Sequence, residues 1–220
     1  MEIPIHVIDF EGSFESGVLE WGVVSLLGEE IISARTSLCR TDRNISTISY
    51  SQHGLNADQL RDYKVFDSNF EVFASLRETG PMCAHNASVE ERFLQQTWPF
   101  TRKSPDFSKT DKKRLITTWG PWVDTLQIYR RLYPDLNSYK LSDLVNIFEL
   151  NKTLGILADK HCPKKRTNYH CALYDALASS LLLKRLFVPG ILEHVSLLQL
   201  FELSSASSSV FNGRRQQELF

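Results

Sequence analysis

The chain opens with three β-rich runs in succession, and nothing after them repeats that pattern. Ile3–Phe10, Val18–Leu27 and Ile31–Leu38 are short, apolar segments separated by turn-forming residues, which predicts an antiparallel meander. From residue 70 the periodicity changes. The spacing of Phe70, Phe73, Ala74 and Leu76 predicts an amphipathic helix ended by Gly80-Pro81, followed by a short strand at Met82–His85 and a helix with Asn86 as its N-cap. Trp122–Thr125 reads as a further strand edge leading into a helix at Leu126–Leu132. A helical segment at Tyr139–Phe148, capped by Ser138, and a polar loop at Asn151–Asn168 precede the strongest helix, Cys171–Leu186, rich in Ala and Leu. Strands first and then alternating α and β imply an α/β fold, a mixed central sheet flanked by helices.

At 220 residues the chain suffices for one well-buried core. The expected organisation is one domain over residues 1–190, an apolar helix at Ile191–Leu203, and a flexible tail over 204–220 that starts with the serine-rich SSASSS. No window is apolar over a membrane-spanning length, and MEIPIHVIDFEGS lacks the basic-then-apolar order of a secretory signal. The default expectation is a cytoplasmic protein without a membrane partner. Oligomeric state is not legible.

Cys39, Cys83, Cys162 and Cys171 are too few and too unevenly spread for a disulfide framework and read as thiols. His161-Cys162 with His170-Cys171 offers four zinc-type donors, but without the short ligand spacings of structural zinc modules. A formal net charge of −1 excludes a protein that coats nucleic acid by bulk electrostatics. Local charge differs: Arg102–Arg114 holds six basic and two acidic residues, including Lys112, Lys113 and Arg114, and Lys164, Lys165 and Arg166 form a second cluster. Trp98, Trp119 and Trp122 border the first stretch, an arrangement suited to gripping phosphates and stacking bases of a single strand, although a place in the buried core is the expectation for at least Trp122.

Asp9 and Glu11 stand two apart at the end of the first strand, so a period of two puts both carboxylates on one face. Carboxylates that close repel unless a cation lies between them, and oxygen donors favour Mg²⁺ or Mn²⁺. His170 and Asp175 stand at the entry to the last long helix. Five helical residues turn through about 500°, so the two side chains converge only if His170 lies on the preceding loop. From there a histidine, with its near-neutral pKa, can take a proton from water while Asp175 holds a metal from the rigid helix. Between these pairs, AHNASVE sets Glu90 one turn into a helix after His85 and Asn86.

The order of these motifs resembles the DEDDh exonucleases of the ribonuclease H-like fold, a family that includes polymerase proofreading subunits and ribonuclease T-like enzymes. VIDFEGS stands where that family has Asp-x-Glu, AHNASVE where it has His-Asn-x-x-x-Asp, and HCALYDA where it has His-x-Ala-x-x-Asp-Ala. QHGL at Gln52–Leu55, VDTL at Val123–Leu126 and SYKLSDLVNIFEL extend the likeness over Ile3–Leu186. The resemblance implies that Asp9, Glu11, Glu90 and Asp175 hold two divalent ions, Mg²⁺ or Mn²⁺, and that His170 activates the attacking water. It implies further that Gly12, Ser13, His53 and Asn86 help to hold the terminal nucleotide. Independently of it, the two basic clusters make Lys112, Lys113, Arg114, Lys165 and Arg166 the expected phosphate contacts. One departure stands out: Glu90 replaces the usual Asp, lengthening the arm by on the order of 1.5 Å in a site that tolerates tenths. Glu91 is an alternative ligand.

The expected activity is 3′-to-5′ removal of nucleoside monophosphates from DNA, with a single-stranded 3′ end as substrate, in repair or replication. Alternatives are an exoribonuclease on short RNA and a catalytically weak nucleic-acid-binding relative. In the tail, Gln216, Leu219 and Phe220 match three positions of the pentapeptide with which bacterial replication proteins dock on the sliding clamp, where adjacent apolar side chains enter a preformed pocket.

Overall fold

The computed structural model describes residues 2–111, 113–188, 190–192 and 195–205. Three long strands, β1 (Ile5–Ser13), β2 (Gly17–Leu27) and β3 (Glu30–Leu38), form the meander. Helices α1 (Thr47–His53) and α2 (Ala57–Leu60) and a single 3₁₀ turn at Phe66–Asn69 lead into α3 (Phe70–Thr79). Next come β4 (Met82–Ala84) and α4 (Ala87–Thr97), then a two-stranded ribbon of β5 (Ser104–Pro105) and β6 (Leu115–Ile116). β7 (Trp122–Asp124) is followed by α5 (Thr125–Leu132), α6 (Leu141–Ile147), α7 (Asn151–His161), α8 (Ala172–Arg185) and α9 (Leu197–Ser205).

The main sheet runs β3-β2-β1-β4-β7, antiparallel through the meander and parallel from β1 to β4 to β7. Alternate residues of β1 therefore enter opposite layers. Val7 joins the layer built with Val24, Val123, Ala176, Leu177 and Phe201, whereas Ile8 and Phe10 join an aromatic layer with Trp21, Phe66, Phe73 and Phe93. Helix α8 is buried nearly all round, including Leu173, Ala176, Leu177 and Leu181. Gly22 lets its first turn approach: a Cβ there would lie 2.3 Å from the Ala172 carbonyl carbon.

Several sequence expectations need correction. The polar loop expected at Asn151–Asn168 contains α7, whose buried residues are only Leu154 and Ala158; so narrow an apolar stripe is invisible as periodicity. Residues around Gly54, taken as turns, form α1 and α2, each with a polar N-cap, Ser46 and Asn56. Ser138 does not cap α6, which starts after Lys140; its hydroxyl bonds the Asp143 carboxylate instead. The C-terminal helix spans Leu197–Ser205, so Ser204 and Ser205 belong to it and not to a tether. Ser204 is used structurally, its Oγ accepting the Asp124 N–H at 2.8 Å. The rest of the expected tail, with Gln216, Leu219 and Phe220, lies outside the described residues, as does Lys112.

The tryptophans do not line a strand-binding surface. Trp119 is fully buried and donates from Nε1 to the Trp98 carbonyl at 2.7 Å, Trp98 stacks among Phe66, Phe70, Phe73 and Trp119, and Trp122 is buried beside them. Their large apolar area closes the aromatic layer. The zinc arrangement also fails to form. Among the described residues only Glu11, His170 and Asp175 bring three potential metal-ligating groups together, and all four cysteines are free.

Candidate active site

β1 delivers Asp9 opposite Gly22 and Glu11 opposite Glu20 across the antiparallel register. A bulge follows between Glu11 and Gly12, where φ is +139° and a Cβ would fall 2.2 Å from the Gly17 carbonyl oxygen. Only glycine fits that bend. Ser13 closes the adjoining turn by exchanging hydrogen bonds with Ser16.

The second arm comes from the β4–α4 junction. Asn86 occupies the N-cap position in the left-handed region, φ +77°, but its side chain caps nothing. The cap is Asp124, at the end of β7, whose two oxygens accept the N–H groups of Asn86 and Ala87 at 3.1 Å each. The same carboxylate accepts from Leu126 N at 2.9 Å and so caps α5 as well. Fixed this way, the first turn of α4 buries Glu90 at 5% exposure with Oε2 lacking any partner. Glu91 points elsewhere. It lines a separate cavity of about 640 Å³ with Trp122, Phe201 and Glu202.

Helix α8 supplies the third arm. Asp175 sits in its first turn, with Oδ2 accepting the His170 N–H at 3.0 Å and Oδ1 unpartnered. His170 lies just outside the helix at φ +64°, a conformation uncommon for a residue with a Cβ, and its side chain is exposed. That backbone turn brings donor atoms of Glu11, His170 and Asp175 within 4.8 Å of one another.

Electrostatics single this cluster out. Burial, and then Asp175, Glu11 and Glu90, raise the Asp9 carboxyl well above its ordinary range. Burial, followed by Glu11, Asp124 and Asp175, does the same to Glu90. Burial and the neighbouring Asp175 and Glu20 push Glu11 up to about 8, and burial lifts Asp175 to about 7 against the His170 N–H bond that opposes it. Four carboxylates that resist ionisation together, two with orphaned buried oxygens, form a donor set that fits hard divalent cations.

No protein-family model matches the chain. The PolC-type DNA polymerase III of Oceanobacillus iheyensis is 26% identical over 169 residues, 77% of this chain and 10% of the polymerase. The corresponding protein of Bacillus subtilis is 24% identical over 169 residues. The chain thus spans about a tenth of the length of the curated relatives it matches. Among solved structures, exonuclease X in complex with 5′-overhanging duplex DNA superposes with a TM-score of 0.65 at 21% identity, over 91% of this chain and 99% of that one. The nuclease domain of 3′hExo, a DEDDh family member bound to rAMP, gives 0.57 at 16% identity over 86% and 94%. The fold is that of the DEDDh 3′-exonucleases.

On this fold the expected substrate contacts divide. Gly12, Ser13 and Asn86 border the carboxylates through the backbone turns already described. His53 is buried with both ring nitrogens engaged, Nδ1 accepting the Leu55 N–H at 3.0 Å and Nε2–H donating to Ser49 Oγ at 2.8 Å; it has no ring nitrogen left for a nucleotide. Arg166 is also turned inward. Its guanidinium forms an ion pair with Glu20, which is 2% exposed, and bonds the carbonyls of His53 and His170. Lys165 and Lys113 are exposed, and Arg114 pairs with Asp106 at 3.2 Å.

Glu20 and Asp124 are the site-shaping residues that sequence reasoning missed. Each is a single acid in or at the end of an apolar strand, VLEWGVV and WVD. A buried charge in such a place requires a partner, and that requirement was the available signal.

Proposed function

We propose that the protein is a divalent-metal-dependent 3′-to-5′ exonuclease that hydrolyses the terminal phosphodiester of DNA and releases nucleoside monophosphates. The observation that carries this reading is the mutual repulsion of the Asp9, Glu11, Glu90 and Asp175 carboxyls, with Glu90 Oε2 and Asp175 Oδ1 unpartnered and the exposed His170 within 4.8 Å of Glu11 and Asp175. These four carboxylates would hold two Mg²⁺ or Mn²⁺ ions, whose contribution when bound is Lewis-acid polarisation of the scissile phosphate and stabilisation of the departing 3′ oxygen. His170, whose ring makes no hydrogen bond among the described residues, takes the proton from the attacking water. Gly12, Ser13 and Asn86 border the terminal nucleotide. Exposed Lys113 and Lys165, with Lys112, supply phosphate contacts farther along the strand.

The PolC-type DNA polymerase III relatives and a neighbour bound to DNA favour DNA as the substrate. A neighbour bound to rAMP supports a second reading, an exoribonuclease on short RNA. Both are tested by degradation of end-labelled single-stranded DNA and RNA with Mg²⁺, with Mn²⁺ and with EDTA. Shortening from the 3′ end that EDTA abolishes is expected, faster on DNA. Binding without shortening in any metal leaves a nucleic-acid-binding relative instead. In the same reading the protein is cytoplasmic, and the final residues, with Gln216, Leu219 and Phe220, tether it to a bacterial sliding clamp. Titration of the last ten residues against such a clamp, with Leu219→Ala/Phe220→Ala as control, tests that tether, and equal binding by the control removes it.

A further inference from the structure

The basic cluster 164–166 contains one member that does not behave as a phosphate contact, and its surroundings suggest another role. Arg166 leaves the segment between α7 and α8 and enters a pocket formed by three separate elements. Its Nη1 donates to the His53 carbonyl at the end of α1 at 2.7 Å, and Nη2 to the His170 carbonyl at 3.2 Å. Nε approaches Glu20 Oε1 at 3.3 Å, and Nη2 pairs with the other oxygen of that carboxylate. Glu20 in turn accepts the Ala172 N–H at 3.1 Å. One guanidinium and one carboxylate thus grip the chain on both sides of His170, through its own carbonyl and through the amide two residues later.

His170 needs such a grip. Its φ of +64° is unfavourable for a residue with a Cβ, and conformations of this kind persist only where surrounding contacts over-determine them. Three contacts do so here: the Asp175 carboxylate on its N–H, Arg166 on its carbonyl, and Glu20 on the start of α8. The fork geometry matters, because a lysine ammonium is a single point of charge and does not satisfy two carbonyls and a carboxylate spread over three elements.

We propose that Arg166 is a positioning residue that, paired with Glu20, holds the His170 backbone in the turn from which its imidazole faces the carboxylate cluster. The inference rests on the exonuclease reading for its kinetic consequence but not for its structural one. In Arg166→Lys, which keeps the charge that Glu20 requires, kcat falls about 30-fold or more, a large share of what a general base contributes. KM for a labelled oligonucleotide and its salt dependence stay within about threefold, because no substrate contact is lost. In a His170→Ala background the same substitution costs less than about threefold, since both changes remove one function. Amide hydrogen exchange over 167–172 accelerates at least about tenfold in Arg166→Lys and Glu20→Gln, while the β1 and β2 amides keep their protection.

A raised KM with a shallower salt slope and unchanged kcat would return Arg166 to the strand-binding surface and overturn the proposal. So would an undiminished loss in the His170→Ala background, which marks an effect that does not pass through His170. If the wild-type protein degrades no nucleic acid, the functional reading falls, and the exchange experiment still decides the tether: unchanged exchange at 167–172 in both variants overturns it.

Discussion

Two buried charged regions of this molecule contrast sharply. Arg77 has no exposed surface, yet its guanidinium donates to the carbonyls of Trp119, Gly120 and Pro105 at 3.1, 2.8 and 2.9 Å. The acid cluster on the other side of β1 is also buried, but Glu90 Oε2 and Asp175 Oδ1 have no partner and the carboxylates repel one another. The first region is complete as folded, and the second, on the function proposed above, is completed by cations. A satisfied buried charge is part of the architecture, whereas an unsatisfied cluster is bound to weaken the fold and persists where it serves chemistry.

The largest expected effect tests the second half of that contrast. Asp175→Asn should lower exonuclease turnover roughly 10³-fold or more, by several kcal/mol of lost charge stabilisation, and yet raise the melting temperature in EDTA. Mg²⁺ at a hundredfold excess over Kd should stabilise the wild type by about 2.7 kcal/mol and Asp175→Asn much less. The pH dependence has a definite sign. Glu11 and Asp175 titrate near 8 and 7 in the native state but in the ordinary carboxylate range when unfolded, so the native state binds more protons between those limits. Metal-free protein should therefore lose stability as pH rises from 5 to 8. Denaturant melts in EDTA at the two pH values check this, and a flat or opposite slope breaks the comparison.

Next in size is the satisfied region. Arg77→Met takes a donor from each of three carbonyls, the Gly120 carbonyl keeping Thr118 Oγ1 at 3.3 Å, and urea unfolding should show a loss of about 3–5 kcal/mol, with activity per folded molecule unchanged below the transition. Smaller again is the pair in α4. Glu90→Gln should cost about 100-fold in kcat, whereas Glu91→Gln, facing the other cavity, should stay within about threefold; the reverse order would move the ligand to Glu91.

The smallest effect comes from a third kind of buried group. His6 lies between Ser25 Oγ at 2.8 Å and Thr79 Oγ1 at 3.0 Å, and burial followed by Arg35 lowers its pKa to about 4. The unfolded chain takes up this proton between pH 6.5 and 4 and the native one does not, so acid destabilises here, opposite in sign to the carboxylates. The difference in stability between wild type and His6→Gln should shrink by about 2 kcal/mol from pH 7.5 to pH 5.

The legible parts of fold and site were those in which local pattern and tertiary role coincide. Asp9 and Glu11 end an apolar strand, Asp175 opens an Ala- and Leu-rich helix, and the three successive β-rich runs form the meander they predict. What stayed hidden depends on partners distant in sequence. Arg166 reads as one more surface base until Glu20, separated from it by 146 positions, is seen to face it. Trp122 already reads as core, but Trp98 and Trp119 read as stacking platforms because nothing local says that Phe66, Phe70 and Phe73 are waiting for them. Helix α7 escaped because its single buried stripe is two residues wide.

Gly22 gives the site its scale. With Asp9 directly across the register and the Ala172 carbonyl where a side chain would begin, one hydrogen atom sets how far helix and sheet stand apart, and that separation is also the span between the carboxylates that share an ion on the proposed reading. Adding a methyl group there changes no donor, no charge and no reactive atom. It lengthens the gauge by a bond, in a centre whose tolerance is a fraction of one, and so the chemically emptiest position of the strand is among those least free to vary.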